Sequence, residues 1–138
     1  MDENEIKDLP HVSERVKATF ADGMVMVVLA TIASYTFSTF ENVHDLARIG
    51  TMIFIVLLYE PLMICTFGAS IGHMIMGIQV RDESNPDSKI NYFQAQIRGV
   101  FKLSLGWISL LSVGSSEKKQ AIHDMIVGSI VLYKTKKD

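Results

Sequence analysis

Two long apolar stretches constrain the fold of this chain more than any other feature of its sequence. The first, Gly23 to Phe40 (GMVMVVLATIASYTFSTF), holds 18 residues without a charge. As a helix it would be about 27 Å long, close to the ~30 Å hydrocarbon core of a bilayer. The second, Ile49 to Phe67 (IGTMIFIVLLYEPLMICTF), has a similar length and one charge, Glu60. The sequence therefore predicts an integral membrane protein with two full transmembrane helices.

The composition agrees with a membrane protein and argues against other classes. Hydrophobic residues make up 49% of the 138 residues. The single Cys65 excludes an internal disulfide, and a net charge of −2 argues against nucleic acid as a partner. The four histidines are scattered, and neither a metal-ligand motif nor a nucleophile motif is present. We therefore expect no metal, no cofactor and no enzymatic activity.

A third hydrophobic segment is shorter than the first two. Residues 91–113 have a helical pattern, and polar side chains recur within them every three or four residues: Asn91, Gln94, Arg98 and Lys102. This stripe is typical of a helix lying in the membrane interface, with Arg98 and Lys102 as anchors for lipid phosphates. The charge-free part that follows, Leu103 to Ser116, has 14 residues, which is marginal for a full span.

Two short segments outside the helices favour strands. GIQV at 77–80 and GSIVLY at 128–133 alternate in polarity and are rich in β-branched residues, which indicates a small cytoplasmic strand pair. The predicted fold is an all-α membrane protein to which this strand pair is added. It has two full transmembrane helices and a short third helix that is either re-entrant or spanning.

The distribution of lysine and arginine predicts the orientation in the membrane. Basic residues cluster near both ends of the chain and between residues 81 and 102, whereas the connector between the two spans holds only Arg48. The positive-inside rule places both termini and residues 81–102 in the cytoplasm, which favours a re-entrant third helix. We divide the chain into a polar N-terminal tail (1–12), a membrane domain (13–133) and a basic C-terminal tail (134–138).

Four short motifs occur in order along the chain: RVKATFAD, GASIGHMIMGIQV, QAQIRGVFK and AIHDMIVGS. Together they resemble the RDD family of bacterial membrane proteins. The resemblance places the family's arginine at Arg15 and its two aspartates at Asp22 and Asp124, with a glycine-bounded stretch at Gly68 to Gly72. His73 departs from the pattern, because many members have a lysine there. The resemblance implies a protein of the bacterial cytoplasmic (inner) membrane with a role in transport, for which ion or proton antiport has been suggested.

Two carboxylates near or within the apolar stretches need an explanation, because a charge inside a bilayer is costly. For Glu60 three interpretations are open. It is a neutral side chain bonded to Tyr59, a serine or the backbone near Pro61; or a proton or cation site; or a contact between subunits. Asp22 lies either at headgroup level or within a charged site. It is about 20° around the helix and roughly 10 Å along it from Arg15, so something should sit between them.

The stretch AIHDMIVGS places Asp124 among apolar neighbours, where an ionised carboxylate needs a cation and hydrogen bonds. Arginine suits this role because its planar guanidinium bonds a carboxylate through two donors. We predict that Asp124 meets Arg15, with Arg98 as the alternative. His123 would then adjust the strength of the contact near neutral pH. Two roles are open: a clamp that closes the fold, or exchange of a cation or proton between Asp22 and Asp124 past Arg15.

These residues define the predicted site, with His73 as an additional candidate: Arg15, Asp22, Glu60, Arg98, His123 and Asp124. We expect a small transporter of a proton, a monovalent cation or a small solute. The alternative is a membrane-embedded scaffold or regulatory module without transport activity. Besides the lipid bilayer, we expect a second copy of the chain as partner, because so few spans cannot enclose a pathway. Small residues allow close helix contacts in two places: Ala30, Ser34 and Ser38, or Gly68 and Gly72.

Overall fold

The computed structural model describes residues 9–40, 42–116 and 119–134. The elements follow in this order: α1 (Val12–Ser38), α2 (Asp45–Phe67), α3 (Ile71–Ile75), β1 (Ile78–Asp82), α4 (Tyr92–Leu105), α5 (Trp107–Leu111), a 3₁₀ turn (Ser112–Gly114), α6 (Ile122–Val127) and β2 (Ser129–Tyr133). Most of the predicted N-terminal tail, and the predicted C-terminal tail after Lys134, lie outside the described residues.

The helices α1 and α2 are both long and apolar enough to cross a membrane, which confirms the two predicted spans. They contain 27 and 23 residues. Helix α2 begins at Asp45, earlier than the predicted start at Ile49. A carboxylate in the first turn interacts favourably with the positive end of the helix dipole, so Asp45 favours the earlier start. Part of the expected polar connector is therefore helical.

The outward faces of α1 and α2 carry large apolar side chains that are exposed within the described part of the chain. Those exposed include Phe20, Met24, Val28 and Ile32 on α1, and Ile49, Ile53, Phe54 and Leu62 on α2. An apolar surface of this extent is unfavourable in water and suits contact with lipid tails. The fold is that of a membrane protein.

The third hydrophobic segment is bent. Helix α4 starts at an Asn91 cap, whose side chain accepts from the Gln94 amide while Gln94 bonds back to the Asn91 amide. It ends at Gly106, where φ is 52° and ψ is −129°, a backbone conformation that glycine adopts readily. The helical segments on either side of this glycine meet at 102°. The segment is therefore two short helices rather than one straight span. If this bent pair crosses the membrane as one unit, the chain has three spans instead of two.

The predicted strand pair is present. Strands β1 and β2 pair antiparallel, with Val80 opposite Val131. Each strand follows a short helix through a glycine with positive φ, Gly77 at 67° and Gly128 at 65°. A small apolar core joins the strands to α1, α2 and α4: Ala18, Ile64, Ile78, Val80, Ile90, Ala95 and Val131. The pair is thereby fixed beside the end of the α1–α2 hairpin where α1 begins and α2 ends.

Candidate functional site

The predicted site residues come from five helices, α1, α2, α3, α4 and α6. The structure brings them together toward the end of the hairpin where the strand pair lies. They form two adjacent groups. We call the first the charge chain: Arg15, Asp124, Arg98, Glu60 and Lys102. We call the second the Asp22 cluster: Asp22, Tyr59, Ser70, Gly72 and His73.

Asp124 is the most enclosed member of the charge chain, with 0% of its surface exposed. Arg15 donates from Nη1 to its Oδ2 at 2.5 Å, and Arg98 donates from Nε to its Oδ1 at 2.7 Å. The predicted contact with Arg15 is present, and Arg98 is a second partner rather than an alternative. Burial raises the pKa of Asp124, but the charges of Arg98 and Arg15 outweigh burial and hold that pKa well below its ordinary value. Asp124 is therefore ionised at neutral pH.

Arg98 continues the charge chain to α2. Its Nη1 donates to Glu60 Oε1 at 2.6 Å. Lys102 donates from Nζ to both oxygens of Glu60, each at 2.9 Å. Arg98 and Lys102 are four residues apart and thus share one face of α4, and this face is turned toward α2.

These contacts correct two expectations. Glu60 is neither a neutral acid nor bonded to Tyr59; it is paired with two cations, because a carboxylate held among apolar helices needs direct compensation. Arg98 is 1% exposed and is not an anchor for lipid phosphates. The polar stripe of α4 therefore serves the interior of the protein, and the opposite face, with Phe93 and Ile97, is exposed.

Asp22 is also buried, at 6% exposure, but its partners are uncharged. Its Oδ1 accepts from the Gly72 amide at 2.8 Å and from the Tyr59 hydroxyl at 3.0 Å. Its Oδ2 accepts from the Ser70 hydroxyl at 2.6 Å. In the part of the chain that the structure describes, no lysine or arginine lies within 4.0 Å of this carboxylate. Asp22 thus lies in a closed site and is not at headgroup level.

The three cations and two carboxylates of the charge chain leave a net charge of 3 − 2 = +1. Asp22 brings the total for the two groups to zero without contacting any of these cations. The two groups are therefore balanced as a whole, whereas the negative charge of Asp22 is met locally by neutral donors alone.

Helix α3 packs against α1 between Arg15 and Asp22. We expected something to sit between these two side chains, and α3 is that element. A Cβ built on Gly72 would lie 2.0 Å from the Ala18 carbonyl oxygen, so only glycine fits here. Gly72 therefore makes a contact within one chain. Gly68 ends α2 in the left-handed conformation, with φ at 77°. Gly68 and Gly72 thus both have roles in the fold of a single copy, and they are not available as a helix contact between subunits.

His73 belongs to the Asp22 cluster and lies near the charges of Arg98 and Lys102. Its Nδ1 makes a short hydrogen bond to the Ser70 hydroxyl. Because Ser70 donates to Asp22, the ring donates from Nδ1 to Ser70 and carries its lone pair on Nε2. Burial, with the nearby charges of Arg98 and Lys102, holds the pKa of His73 well below its ordinary value. The imidazole is neutral, whereas a lysine at this position would carry a charge.

The order of these side chains differs from that of a hydrolytic triad. Ser70 lies between Asp22 and His73, and it donates its proton directly to the carboxylate. In a catalytic triad the histidine lies in the middle and accepts the proton of the serine. The arrangement thus does not activate Ser70 as a nucleophile. No group of three or more His, Cys, Asp or Glu side chains suited to a metal ion is found among the described residues.

His123 does not act as expected. It is 1% exposed, and its Nδ1 bonds to the Ser109 hydroxyl at 2.6 Å. Its Nε2 lies 3.6 Å from Asp124 Oδ1, beyond hydrogen-bond distance. Burial lowers the pKa of His123 to about 4, so the ring is neutral at pH 7 and does not titrate there. The expected adjustment of the Asp124 contact near neutral pH is therefore wrong.

A cavity of about 170 Å³ lies between α1, α2 and α4 and touches both groups. Its polar lining residues are Thr19, Asp22, Tyr59, Glu60, Gln96 and Lys102. Much of the remaining wall is hydrocarbon, from Met26, Val56, Leu57, Val100 and Leu103. Sequence reasoning missed Ser70 and Gln96 as members of the site. Ser70 stands inside the glycine-bounded stretch at 68–72, and that signal could have identified it, whereas Gln96 carries no comparable signal.

Comparison with known proteins gives one match. The family model described as "RDD family" matches residues 9–128, which is most of the chain. No curated protein and no solved structure matches.

Proposed function

Because the chain belongs to the RDD family, we propose that it is a small multi-pass transporter in which Asp22 binds a proton or a monovalent cation. It acts without enzymatic chemistry. We place it in the bacterial inner membrane with both termini in the cytoplasm, in accordance with the positive-inside distribution of its basic residues. A homo-oligomer encloses the pathway, and Ala30, Ser34 and Ser38 supply the close helix contacts between copies.

One observation carries the proposal: among the described residues, the buried carboxylate of Asp22 is held only by neutral donors. Ser70, Tyr59 and the Gly72 amide leave it without a direct counter-ion. A carboxylate without a fixed counter-ion can take a mobile cation in that role. Asp22 also lines a cavity, and this cavity provides space for an ion or a proton-carrying water beside the carboxylate.

The charge chain has a structural role in this proposal. Glu60 and Asp124 are each bonded to two cations, so neither carboxylate is available to a transported ion. They hold α1, α2, α4 and α6 around the cavity. We therefore assign ion binding to Asp22 and not to Glu60, for which it was one of three open interpretations. Glu60 and Lys102 form one wall of the site.

Flux through purified protein in liposomes tests the proposal. We expect the protein to couple a pH gradient to movement of Na⁺ or K⁺, read with a pH-sensitive dye. Asp22→Asn should lower the rate at least about tenfold, because the amide cannot take up a proton or neutralise a cation. It should fold normally, since its oxygen still accepts from Gly72 and Tyr59.

Two variants act as controls for the flux measurement. Asp45→Asn makes the same chemical change at an exposed helix end and should leave the rate unchanged. Glu60→Gln, which leaves Lys102 without its carboxylate, should lower the yield of folded protein. A normal rate for Asp22→Asn would remove Asp22 from the mechanism.

The alternative, a scaffold or regulatory module, is favoured by a different observation. Asp124 is fully enclosed and Glu60 is mostly so, and both are used in closed ion pairs, as expected of a protein whose charges only hold its helices together. The same liposomes decide between the two functions. No flux of protons, Na⁺ or K⁺ by folded wild-type protein, under gradients of either direction, would favour the scaffold.

A further inference from the structure

We infer that the cavity between α1, α2 and α4 binds a small organic ammonium ion, with its nitrogen at Asp22 and its hydrocarbon part against the apolar wall. This inference rests on the proposed function and names the class of cation that the same site would take. It follows from the size of the cavity, the chemistry of its wall and the distribution of charge around it.

The size of the cavity excludes a large solute and is generous for a bare ion. Its volume is about 170 Å³. A dry cavity of roughly 150 Å³ engineered into another protein admits benzene. The space therefore suits a molecule of about six to ten non-hydrogen atoms, such as a benzylic or short-chain amine.

The wall suits an organic cation better than a naked metal ion. Hard cations are held by about six or more oxygen ligands in proteins. Hydrocarbon groups, among them those of Met26, Leu57, Val100 and Leu103, cover most of the surface here, and polar residues make up the rest. An organic cation satisfies both parts, because its carbon atoms leave water for the apolar wall and its charge remains with the polar residues.

The charges around the cavity select a cation over an anion. Lys102 lines the cavity, but both oxygens of Glu60 engage its ammonium group, so its charge is met by direct contact. The carboxylate of Asp22 has no such partner among the described residues. Gln96 lines the same cavity, and its buried Oε1 accepts from no described donor. The unmatched groups are thus acceptors, and an ammonium ion with N–H bonds supplies donors only.

Binding of benzylammonium to purified protein in detergent tests the inference directly, without measurement of flux. We expect isothermal titration calorimetry to give one site per chain. Benzyl alcohol, which has the same shape without the charge, should bind at least about tenfold more weakly. Asp22→Asn should lose at least about tenfold in affinity for benzylammonium, and Asp45→Asn should lose none.

Variants of the wall test whether the cavity itself is the site. Leu103→Ala enlarges the space and should allow 1-naphthylmethylammonium to bind, which the wild-type cavity is too small to admit. Leu62→Ala removes the same atoms from an exposed position of α2 outside the cavity and should leave the size limit unchanged. If both variants respond alike, the ligand does not lie where we place it.

The outcomes separate this inference from the proposed function. Flux of protons or Na⁺ that depends on Asp22, with no benzylammonium bound, would overturn the inference and leave the transporter standing. Benzylammonium bound through Asp22 with no flux of any ion, its own included, would support the inference and overturn transport. Equal affinity for benzyl alcohol and benzylammonium would show an apolar cavity that takes any small hydrocarbon, a lipid tail included, and would overturn the inference.

Discussion

Arg98 is the residue on which both ends of the charge chain depend. Its Nε bonds to Asp124 and its Nη1 to Glu60, and it is almost fully enclosed. A guanidinium cannot lose its proton to escape burial, as a lysine can, so its charge must be met by carboxylates in place. Loss of either carboxylate leaves Arg98 with one partner and leaves the other cation, Arg15 or Lys102, without its carboxylate, which costs more than the pair itself contributes.

The first prediction concerns Asp124. Asp124→Asn removes the negative charge that faces Arg15 and Arg98, and we expect a loss of about 3–5 kcal/mol in the free energy of unfolding. Thermal unfolding in detergent, followed by circular dichroism, measures it. Asp45→Asn, at an exposed position, is the matched control. A change below about 1 kcal/mol for Asp124→Asn would mean that the two arginines find other partners.

The second prediction concerns pH. The pKa of His123 is about 4 in the fold, against ~6.5 in an unfolded chain. The unfolded state therefore binds more protons, and stability should be constant above about pH 6.5 and fall as the pH drops toward 4. At about 1.4 kcal/mol per pKa unit the loss is on the order of 3 kcal/mol. The depressed pKa of His73 acts in the same direction.

A substitution separates the contribution of His123 to this pH dependence. His123→Asn keeps a side-chain group near Ser109 and cannot titrate, so its melting temperature should fall less between pH 6.5 and 4 than that of the wild type. Parallel curves for the two proteins would assign the pH dependence to other groups.

At the scale of elements, the spans, the strands and the pairing of Asp124 with Arg15 could be predicted, whereas the pairing of Glu60 with Arg98 and Lys102 could not. The uncharged run of α1 is long enough for a bilayer, and the β-branched residues of β1 and β2 alternate, so local sequence sufficed for each. The spacing of Arg98 and Lys102 correctly gave one face of α4, but nothing local distinguishes a face turned to lipid headgroups from one turned to Glu60. That choice depends on packing between elements distant in the chain, as does the enclosure of Asp22.

The third prediction concerns the contact of α3 with α1. Gly72→Ala would place a methyl carbon 2.0 Å from the Ala18 carbonyl oxygen, which is far closer than van der Waals contact. Helices α1 and α3 must therefore separate. The Gly72 amide then no longer reaches Asp22. We expect the free energy of unfolding to fall by at least about 3 kcal/mol, which is the upper end of the range for inserting a methyl group into a packed interface. Gly114→Ala, where a Cβ meets nothing within 4 Å, should cost little in the same unfolding measurement.

At the scale of the whole molecule, one copy has too few spans to surround a pathway. Two helices can cross the membrane, the third segment is bent, and an open groove runs along α1 beside Met52 of α2. Small and hydroxylic side chains line this groove: Ala30, Thr31, Ser34 and Ser38. A helix of a second copy can approach closely there, since small residues let backbones come together.

The fourth prediction concerns this assembly. Native mass spectrometry from lipid nanodiscs should show dimers or larger homo-oligomers. Ser34→Leu should shift the distribution toward the monomer by filling the groove, whereas Ile32→Leu, at an exposed position outside the groove, should not. A wild-type protein that is monomeric under all conditions would count strongly against transport.

The bond between Arg15 and Asp124 joins residues that are synthesised at different times. The two residues are 109 positions apart, so a ribosome working at roughly 5–20 residues per second needs on the order of 5 to 20 seconds to deliver the carboxylate after the guanidinium. For roughly the second half of that interval the α1–α2 hairpin, which ends at Phe67, is already made while Arg15 does not yet have Asp124 to meet. A translation product that stops before Asp124 therefore leaves the Arg15 guanidinium without the carboxylate that it meets in the complete fold, and an uncompensated buried charge is destabilising.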